Sequence, residues 1–376
     1  MAGESTSVDS QSPCHVDNIC SRDGLAEITE RHPDLNAPYE LDPSAYPGLV
    51  FTDQPGIDVA LDILKEEACR NLTYIVLGPM TTLAHLCRSN GEVVKDRIGR
   101  VICMGGALDV PGNTSPAAEF NFFADPYAVR ELLVPPSGSP ALPLERFLLL
   151  PLDTTTPHEL PFPYYASTID QEFLSTVKPS RPDGKSPIIH FTSAFLERTR
   201  EVMISFGKDA MELHDIVAVW CAIENPPERD EISGKGDMHM PVLNKGWGVV
   251  RRRFEIERYV ECQYLLCMHS WISLGDRLSH STGEITRGMC VVDRRDDQSV
   301  YDPGANRAKV QEELEKHNIL MSGILESTAL PAQVELEKSP GEAIAPTAGV
   351  PVVTITPGPD MLLKLLTRRV WDIIVD

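Results

Sequence analysis

The sequence predicts an α/β protein with an open, mostly parallel β-sheet, flanking helices and a few antiparallel strands in its C-terminal half. Short, largely apolar runs alternate with amphipathic segments through the first half of the chain. Such runs are typical of strands buried on both faces between layers of helices. Two of the runs end in glycine, at the strand ends where open α/β sheets bind their ligands.

Each element is predicted from its own pattern. Strands are expected where apolar residues run on without a polar face, at residues 71–78, 100–104 and 146–152. Helices are expected where apolar residues recur every three to four positions, at 57–69, 80–88, 126–133, 188–206, 213–223 and 361–375. In the second half, residues 254–262 alternate as a strand does, and 284–292 is the expected antiparallel partner.

Two segments fall outside this alternation. Residues 1–48, rich in Ser, Asp, Pro and Gly, are expected to be irregular, and residues 49–376 then form the main domain. Within that domain, residues 294–351 are charged and rich in proline, so we expect a surface insertion there. The chain is therefore predicted to have one principal domain.

The composition limits the partners. The formal net charge of −21 argues against nucleic-acid and membrane partners, which require basic contacts to phosphate. It is compatible with neutral small molecules and with a divalent cation, although acidity can simply favour solubility. The nine cysteines show no paired spacing, and no signal peptide or membrane-spanning run is present in the sequence. We therefore expect a cytoplasmic protein.

The densest set of polar residues follows the predicted strand that ends at Met104. Gly105 and Gly106 let the backbone approach a ligand closely, and Asn113, Glu119 and Asn121 come soon afterwards. Two amides and a carboxylate offer both donors and acceptors, as a sugar diol requires. The alternative is a loop in which these side chains only cap local turns.

Two further elements can contribute chemistry. His214 and Asp215 open an apolar helix, where Asp215 suits a hard cation and His214 can donate a proton, although an acid at this position is often only a helix cap. Thr81 follows a strand-end turn whose carbonyls can face a cation, or which can simply start the next helix.

Taken in order, these residues resemble the inosine/uridine-preferring nucleoside hydrolase family. The resemblance extends over roughly residues 20–293 and is specific as an ordered set rather than in any one piece. The matching segments are Asp23-Gly24-Leu25, Gly78-Pro79-Met80-Thr81, Met104-Gly105-Gly106, Gly112-Asn113, Glu119-Phe120-Asn121, Asp125-Pro126, His214-Asp215, Thr286-Arg287-Gly288 and Val291-Val292-Asp293.

The resemblance implies a metal-assisted hydrolase that cleaves ribonucleosides to ribose and free base, in nucleoside catabolism and salvage. Family members hold Ca²⁺ at the floor of the pocket, so Asp215 and the Thr81 carbonyl are implied as metal ligands. The family pattern likewise implies ribose contacts from Asn113, Glu119 and Asn121, with Met104 beside the sugar. His214 is then the implied general acid, the partner is a small-molecule ribonucleoside, and a homo-oligomer is common in the family.

The chain also departs from the family pattern. Members begin with a strand and an aspartate cluster, DxDxxxDD, which we do not find before Asp23, and Thr52–Val59 imitates it in the wrong place. We expect Asp53 and Asp58 to lead into a helix rather than bind metal. The sequence thus predicts weak or no turnover, and the alternative function is non-catalytic ribose binding. A dinucleotide-dependent oxidoreductase is disfavoured because no strand is followed by GxGxxG.

Overall fold

A computed structural model describes residues 24–25, 27–36, 48, 50–135, 142–174, 179–227, 239–258, 285–292 and 349–375. The predictions that concern Asp23 and nearly all of residues 294–351 lie outside the described residues.

The central sheet has five strands in the order β1-β2-β3-β9-β6. These strands are β1 (Leu72–Val76), β2 (Ile98–Met104), β3 (Phe147–Leu150), β6 (Gly248–Arg252) and β9 (Val350–Ile355). The pairs β1–β2, β2–β3 and β3–β9 are parallel, and β6 pairs antiparallel with β9. The predicted fold class, a mostly parallel sheet with an antiparallel contribution from the C-terminal half, is confirmed.

Two small antiparallel sheets accompany the central one. The first joins β4 (Glu159–Pro161) to β5 (Ala210–Glu212), and the second joins β7 (Glu255–Ile256) to β8 (Cys290–Val291). The second pair confirms the predicted antiparallel pairing of 254–262 with 284–292, but the paired stretch is shorter than expected.

Helices flank the sheet and connect its strands. They are α1 (Ile28–Arg31), α2 (Gly56–Glu66), α3 (Thr81–Arg97), α4 (Phe120–Ala124), α5 (Pro126–Leu133), α6 (Leu152–Thr155), α7 (Phe162–Thr168), α8 (Pro187–Ser205), α9 (His214–Glu224) and α10 (Pro359–Trp371). Short 3-10 helices lie at Pro33–Leu35 and Leu144–Arg146, so the described part of the segment predicted to be irregular contains some helix. None of the helices in the described ranges is long and apolar enough to cross a membrane.

The core lies on both faces of the sheet, which explains the two-sided hydrophobicity of the strands. Along β2, Val101 and Cys103 belong to one buried cluster, whereas Ile102 and Met104 belong to the other. The residues of β3 alternate in the same way, since successive side chains of a strand point to opposite faces. Every residue of β2 is buried, so the C-terminal end of this strand lies in the protein interior.

The end of one predicted segment overlaps a strand. The surface insertion was placed at 294–351, but Val350 and Pro351 already belong to β9, a strand in the interior of the sheet. Proline lacks an N–H and is unusual there. The pairing of β9 with β3 runs through Val352, and Pro351 lies opposite Arg251 of β6.

Candidate functional site at the ends of β1 and β2

The strand end at β2 is shaped by two glycines. A Cβ atom added at Gly105 would lie 2.7 Å from the ring of Phe122, and one added at Gly106 would lie 2.9 Å from it. Gly106 also has φ +83°, in the left-handed region that favours glycine. The pair is therefore needed for the aromatic ring to pack against the end of the strand.

Glu119 fixes this turn through its carboxylate. Its Oε2 accepts hydrogen bonds from the backbone N–H groups of Gly106 (2.8 Å) and Phe122 (3.1 Å), and its Oε1 accepts one from Asn121 (2.9 Å). Burial raises the pKa of the Glu119 carboxyl, and these three hydrogen bonds oppose that rise. The side chain caps α4, so the alternative of a local cap is correct for this residue, and it leaves little of the carboxylate for a ligand.

Asn121 joins the ends of two neighbouring strands. Its Nδ2 donates to the carbonyl of Leu77, just beyond β1, at 3.3 Å and to the carbonyl of Met104, the last residue of β2, at 3.0 Å. The same nitrogen lies 3.6 Å from the Met104 sulfur, so the predicted neighbours Met104 and Asn121 are in contact. Among the described residues the Oδ1 of Asn121 has no hydrogen-bond donor, which leaves it available to a ligand.

Asn113 lies on the outer side of the same loop and is exposed. Its Oδ1 accepts a hydrogen bond from the backbone N–H of Phe120 at 3.0 Å. Its Nδ2 finds no acceptor within the part of the chain that the structure describes. The Oδ1 of Asn113 therefore binds the loop, and its Nδ2 can donate a hydrogen bond to a ligand on the solvent side.

A segment far away in sequence, at Arg287 and Gly288, packs against the turn that carries Glu119 and Asn121. Arg287 donates to the carbonyls of Phe123 (2.7 Å) and Ala124 (3.0 Å). Gly288 has φ +75°, and a Cβ there would lie 2.5 Å from the backbone nitrogen of Phe123. The Thr-Arg-Gly motif of the sequence thus has a structural role, because it clamps the turn that carries Glu119 and Asn121.

His214 begins α9, and both of its ring nitrogens are engaged. Nδ1 lies 2.8 Å from Oγ1 of Thr155, and Nε2 lies 2.9 Å from Oε2 of Glu212. The hydrogen bond with His214 lowers the pKa of Glu212 to about 2, so Glu212 is an anion that accepts a proton donor. His214 is close enough to Glu119 for its charge to lower the pKa of that carboxyl. Transfer of a proton to a ligand would require the ring to leave one of its two partners.

Asp215 differs from the acids around it, since it is exposed and no hydrogen bond or ion pair in the described residues involves its carboxylate. Desolvation by the surrounding protein atoms nevertheless raises the pKa of this carboxyl, and the charge of His214 opposes the rise. Asp215 therefore keeps its oxygens free for a ligand.

Thr81 is the first residue of α3, and its hydroxyl donates to Oδ2 of Asp125 at 2.5 Å. Backbone carbonyls in a helix point toward its C-terminal end, so that of Thr81 is directed along α3. The structure thus adds no support to the predicted metal role of Thr81.

Of the predicted ligand pair, Asp215 alone presents unpartnered oxygens, whereas Ca²⁺ takes about six to eight oxygen ligands. Asp215 and Thr81 alone would therefore supply too few ligands for Ca²⁺, and their role as metal ligands stays a prediction.

Asp53 and Asp58 lead into a helix, as the sequence predicts. Asp58 lies in the first turn of α2, which begins at Gly56, and Asp53 lies just before that helix. Both therefore belong to a helix start.

The sequence matches the family model described as inosine-uridine preferring nucleoside hydrolase over residues 1–320 of its 376. The chain belongs to this family. The resemblance found in the motifs is thereby confirmed.

Curated relatives match in part. A pyrimidine-specific ribonucleoside hydrolase from Shewanella sp. (strain MR-4) is 41% identical over 91 residues, 23% of this chain and 27% of that protein. An uncharacterised protein from Schizosaccharomyces pombe is 34% identical over 104 residues, 28% of this chain and 30% of that protein. The matches thus span less than a third of the length of these relatives. A solved plant nucleoside hydrolase has a TM-score of 0.48 and 15% identity, covering 94% of this chain and 74% of that one.

Several residues that form hydrogen bonds with the loop after β2 or with His214 were not predicted from the sequence. Asp153 accepts hydrogen bonds from the backbone N–H groups of Leu108 (2.9 Å) and Asp109 (2.7 Å), and Thr155 and Glu212 hold the ring of His214. Glu212 is two residues from His214 and was detectable as a local acid. Asp153 and Thr155 reach their partners across 44 to 59 positions, and no local pattern marks them.

Proposed function

We propose that this protein cleaves the N-glycosidic bond of purine or pyrimidine ribonucleosides, giving ribose and the free base. The observation that carries the proposal is the junction made by Asn121 between the ends of β1 and β2, in a chain of the nucleoside hydrolase family. Open α/β sheets bind ligands at this edge. We infer a small-molecule ribonucleoside as the substrate.

The ribose is bound, in this proposal, by polar atoms that remain after the loop has made its own hydrogen bonds. The Oδ1 of Asn121 is an acceptor and the Nδ2 of Asn113 is a donor, each without a partner in the described ranges. A sugar hydroxyl both donates and accepts, so this combination suits a ribose. Met104 packs beside Asn121 and offers an apolar surface to the sugar ring.

Bond cleavage requires charge stabilisation. As the C1′–N bond breaks, positive charge grows on the ribose, and water adds to C1′ while the departing base takes up a proton. The Asp215 carboxylate is free to face that charge, and the buried Glu119 carboxylate contributes a second negative group nearby. Fixed charges in a partly desolvated site stabilise such a transition state strongly. His214 supplies that proton after exchanging Thr155 or Glu212 for the base, and the proton that the added water loses then restores the imidazolium of His214.

The second candidate function is ribose or nucleoside binding without hydrolysis. It is favoured by the engagement of both His214 nitrogens and of most of the Glu119 carboxylate. The remaining expectations come from the family resemblance: dependence on Ca²⁺, cytoplasmic location, a role in nucleoside salvage and a homo-oligomeric state.

Release of free base from inosine and uridine tests the proposal, measured with millimolar Ca²⁺ and again after chelation. Asp215→Asn is expected to lower the rate about 10-fold or more, because it removes a negative group that faces the developing charge. Asp58→Asn is the matched control, since Asp58 is also an exposed acid in the first turn of a helix.

The outcomes separate the two candidates. Base release that falls in Asp215→Asn and not in Asp58→Asn supports hydrolysis. Nucleoside binding without base release favours the second candidate. If the wild-type chain neither binds nor cleaves nucleosides, both are contradicted.

A further inference from the structure

A second polar cluster lies between the N-terminal helical segment and α8. His32 follows α1, Asp34 lies in the 3-10 helix Pro33–Leu35, and His190 lies in the first turn of α8. One nitrogen from each imidazole and one oxygen of Asp34 all lie within 4.8 Å of one another. None of these residues belongs to the loop or to the helix start described above.

The two histidines are buried, with 2% and 3% of their surface exposed, whereas the Asp34 side chain is half exposed. The two rings meet edge to face, with their centroids 5.6 Å apart. Nε2 of His190 and Oδ2 of Asp34 are separated by 2.8 Å. The cluster is thus closed on the protein side and open to solvent at the carboxylate.

Both imidazoles also contact a side chain outside the cluster. Nε2 of His32 lies 3.2 Å from Oε2 of the buried Glu197, and Nδ1 of His190 lies 3.1 Å from Oγ of Ser180. Lys185 holds Ser180 in turn, at 3.2 Å. Metal-binding histidines nearly always have their second ring nitrogen fixed by a carboxylate, a backbone carbonyl or water, and Glu197 offers such a carboxylate to His32.

We propose that His32, Asp34 and His190 form a zinc-binding site with three protein ligands and one position left for water. Two imidazoles and a carboxylate suit Zn²⁺, whereas Ca²⁺ and Mg²⁺ take oxygen ligands. Tetrahedral zinc with bonds of about 2.0–2.2 Å separates two ligand atoms by about 3.3 Å. The present 2.8 Å between His190 and Asp34 therefore has to widen only slightly, which the half-exposed Asp34 permits.

The site would connect parts of the chain that are far apart in sequence. His190 and Asp34 are 156 positions apart, and the ion would tie the segment after α1 to α8. Because a metal that binds only the folded chain stabilises it, zinc should raise the unfolding midpoint.

The test uses the full chain after dialysis against a chelator. Calorimetric titration with Zn²⁺ is expected to give one ion per chain, and Co²⁺ is expected to give the intense visible absorption of a tetrahedral site. Asp34→Asn should weaken zinc binding at least about 10-fold, and Glu197→Gln should weaken it by about 10- to 100-fold as an outer partner. His85→Ala, a change at an exposed histidine of α3, should leave the affinity unchanged.

Circular dichroism checks that each variant is folded, and Asp34→Asn is the decisive variant because its side chain is half exposed. Substoichiometric zinc in the wild type, or equal zinc affinity in Asp34→Asn and the wild type, would overturn the proposal and leave a hydrogen-bonded cluster only. Zinc binding is read independently of base release, so failure here leaves the proposed nucleosidase function untouched.

Discussion

The polar residues at the ends of β1 and β2 and those beside α8 differ in what they bond to. Glu119 and Asn121 form hydrogen bonds with backbone groups of their own loop and of the two strands. The side chains of His32, Asp34 and His190 bond to other side chains.

A side chain that bonds to the backbone is part of the fold, because removing it leaves buried N–H or C=O groups without partners. A side chain that bonds to another side chain can exchange that partner for an ion. The first cluster therefore shapes a site, and the second retains exchangeable ligands.

The largest effect that separates the two regions is expected from Glu119→Ala. Three buried N–H groups lose their acceptor. At about 1–3 kcal/mol for each unsatisfied group, the free energy of unfolding should fall by about 3 kcal/mol or more. Urea denaturation measures this loss. Glu119→Gln keeps one side-chain oxygen and should lose less. An unchanged midpoint in Glu119→Ala would mean that the residue serves a ligand and not the loop.

The smallest effect is expected from Asp34→Asn in the absence of metal. The side chain is half exposed, and asparagine keeps an oxygen that can face His190. The urea midpoint in the presence of chelator should therefore stay close to that of the wild type. A loss comparable to that of Glu119→Ala would show that the cluster beside α8 is as much a part of the fold as the strand-end loop.

The sequence predicts the first region better than the second for a physical reason. The strands that end at Met104 and Leu150 are buried on both faces, and a continuous apolar run marks them without reference to any other part of the chain. Glu119 and Asn121 lie within 17 positions of the backbone groups of Gly106 and Met104, so their place follows from one local loop.

The features that the sequence did not predict depend on contacts between residues far apart in the chain. The His32–Glu197 contact joins residues 165 positions apart, and nothing in the neighbourhood of either residue indicates the other. β9 was missed because a Pro-rich segment precedes it and proline occupies its second position. Its place between β3 and β6 is set by tertiary packing of Val352 and Val353 on the two faces of the sheet.

The central claim, that the loop after β2 binds a ribose, is tested most directly by calorimetric titration of ribose and inosine into the wild-type chain and two asparagine variants. Asn113→Ala removes a donor that faces solvent, together with the oxygen that accepts from Phe120, and should weaken binding by at least about 10-fold, the equivalent of one hydrogen bond of about 1.4 kcal/mol. Asn90→Ala, a change in α3 at a side chain that donates to its neighbour Ser89, should bind as the wild type does. Equal affinity in all three proteins, or no binding of either ligand to the wild type, would contradict the claim.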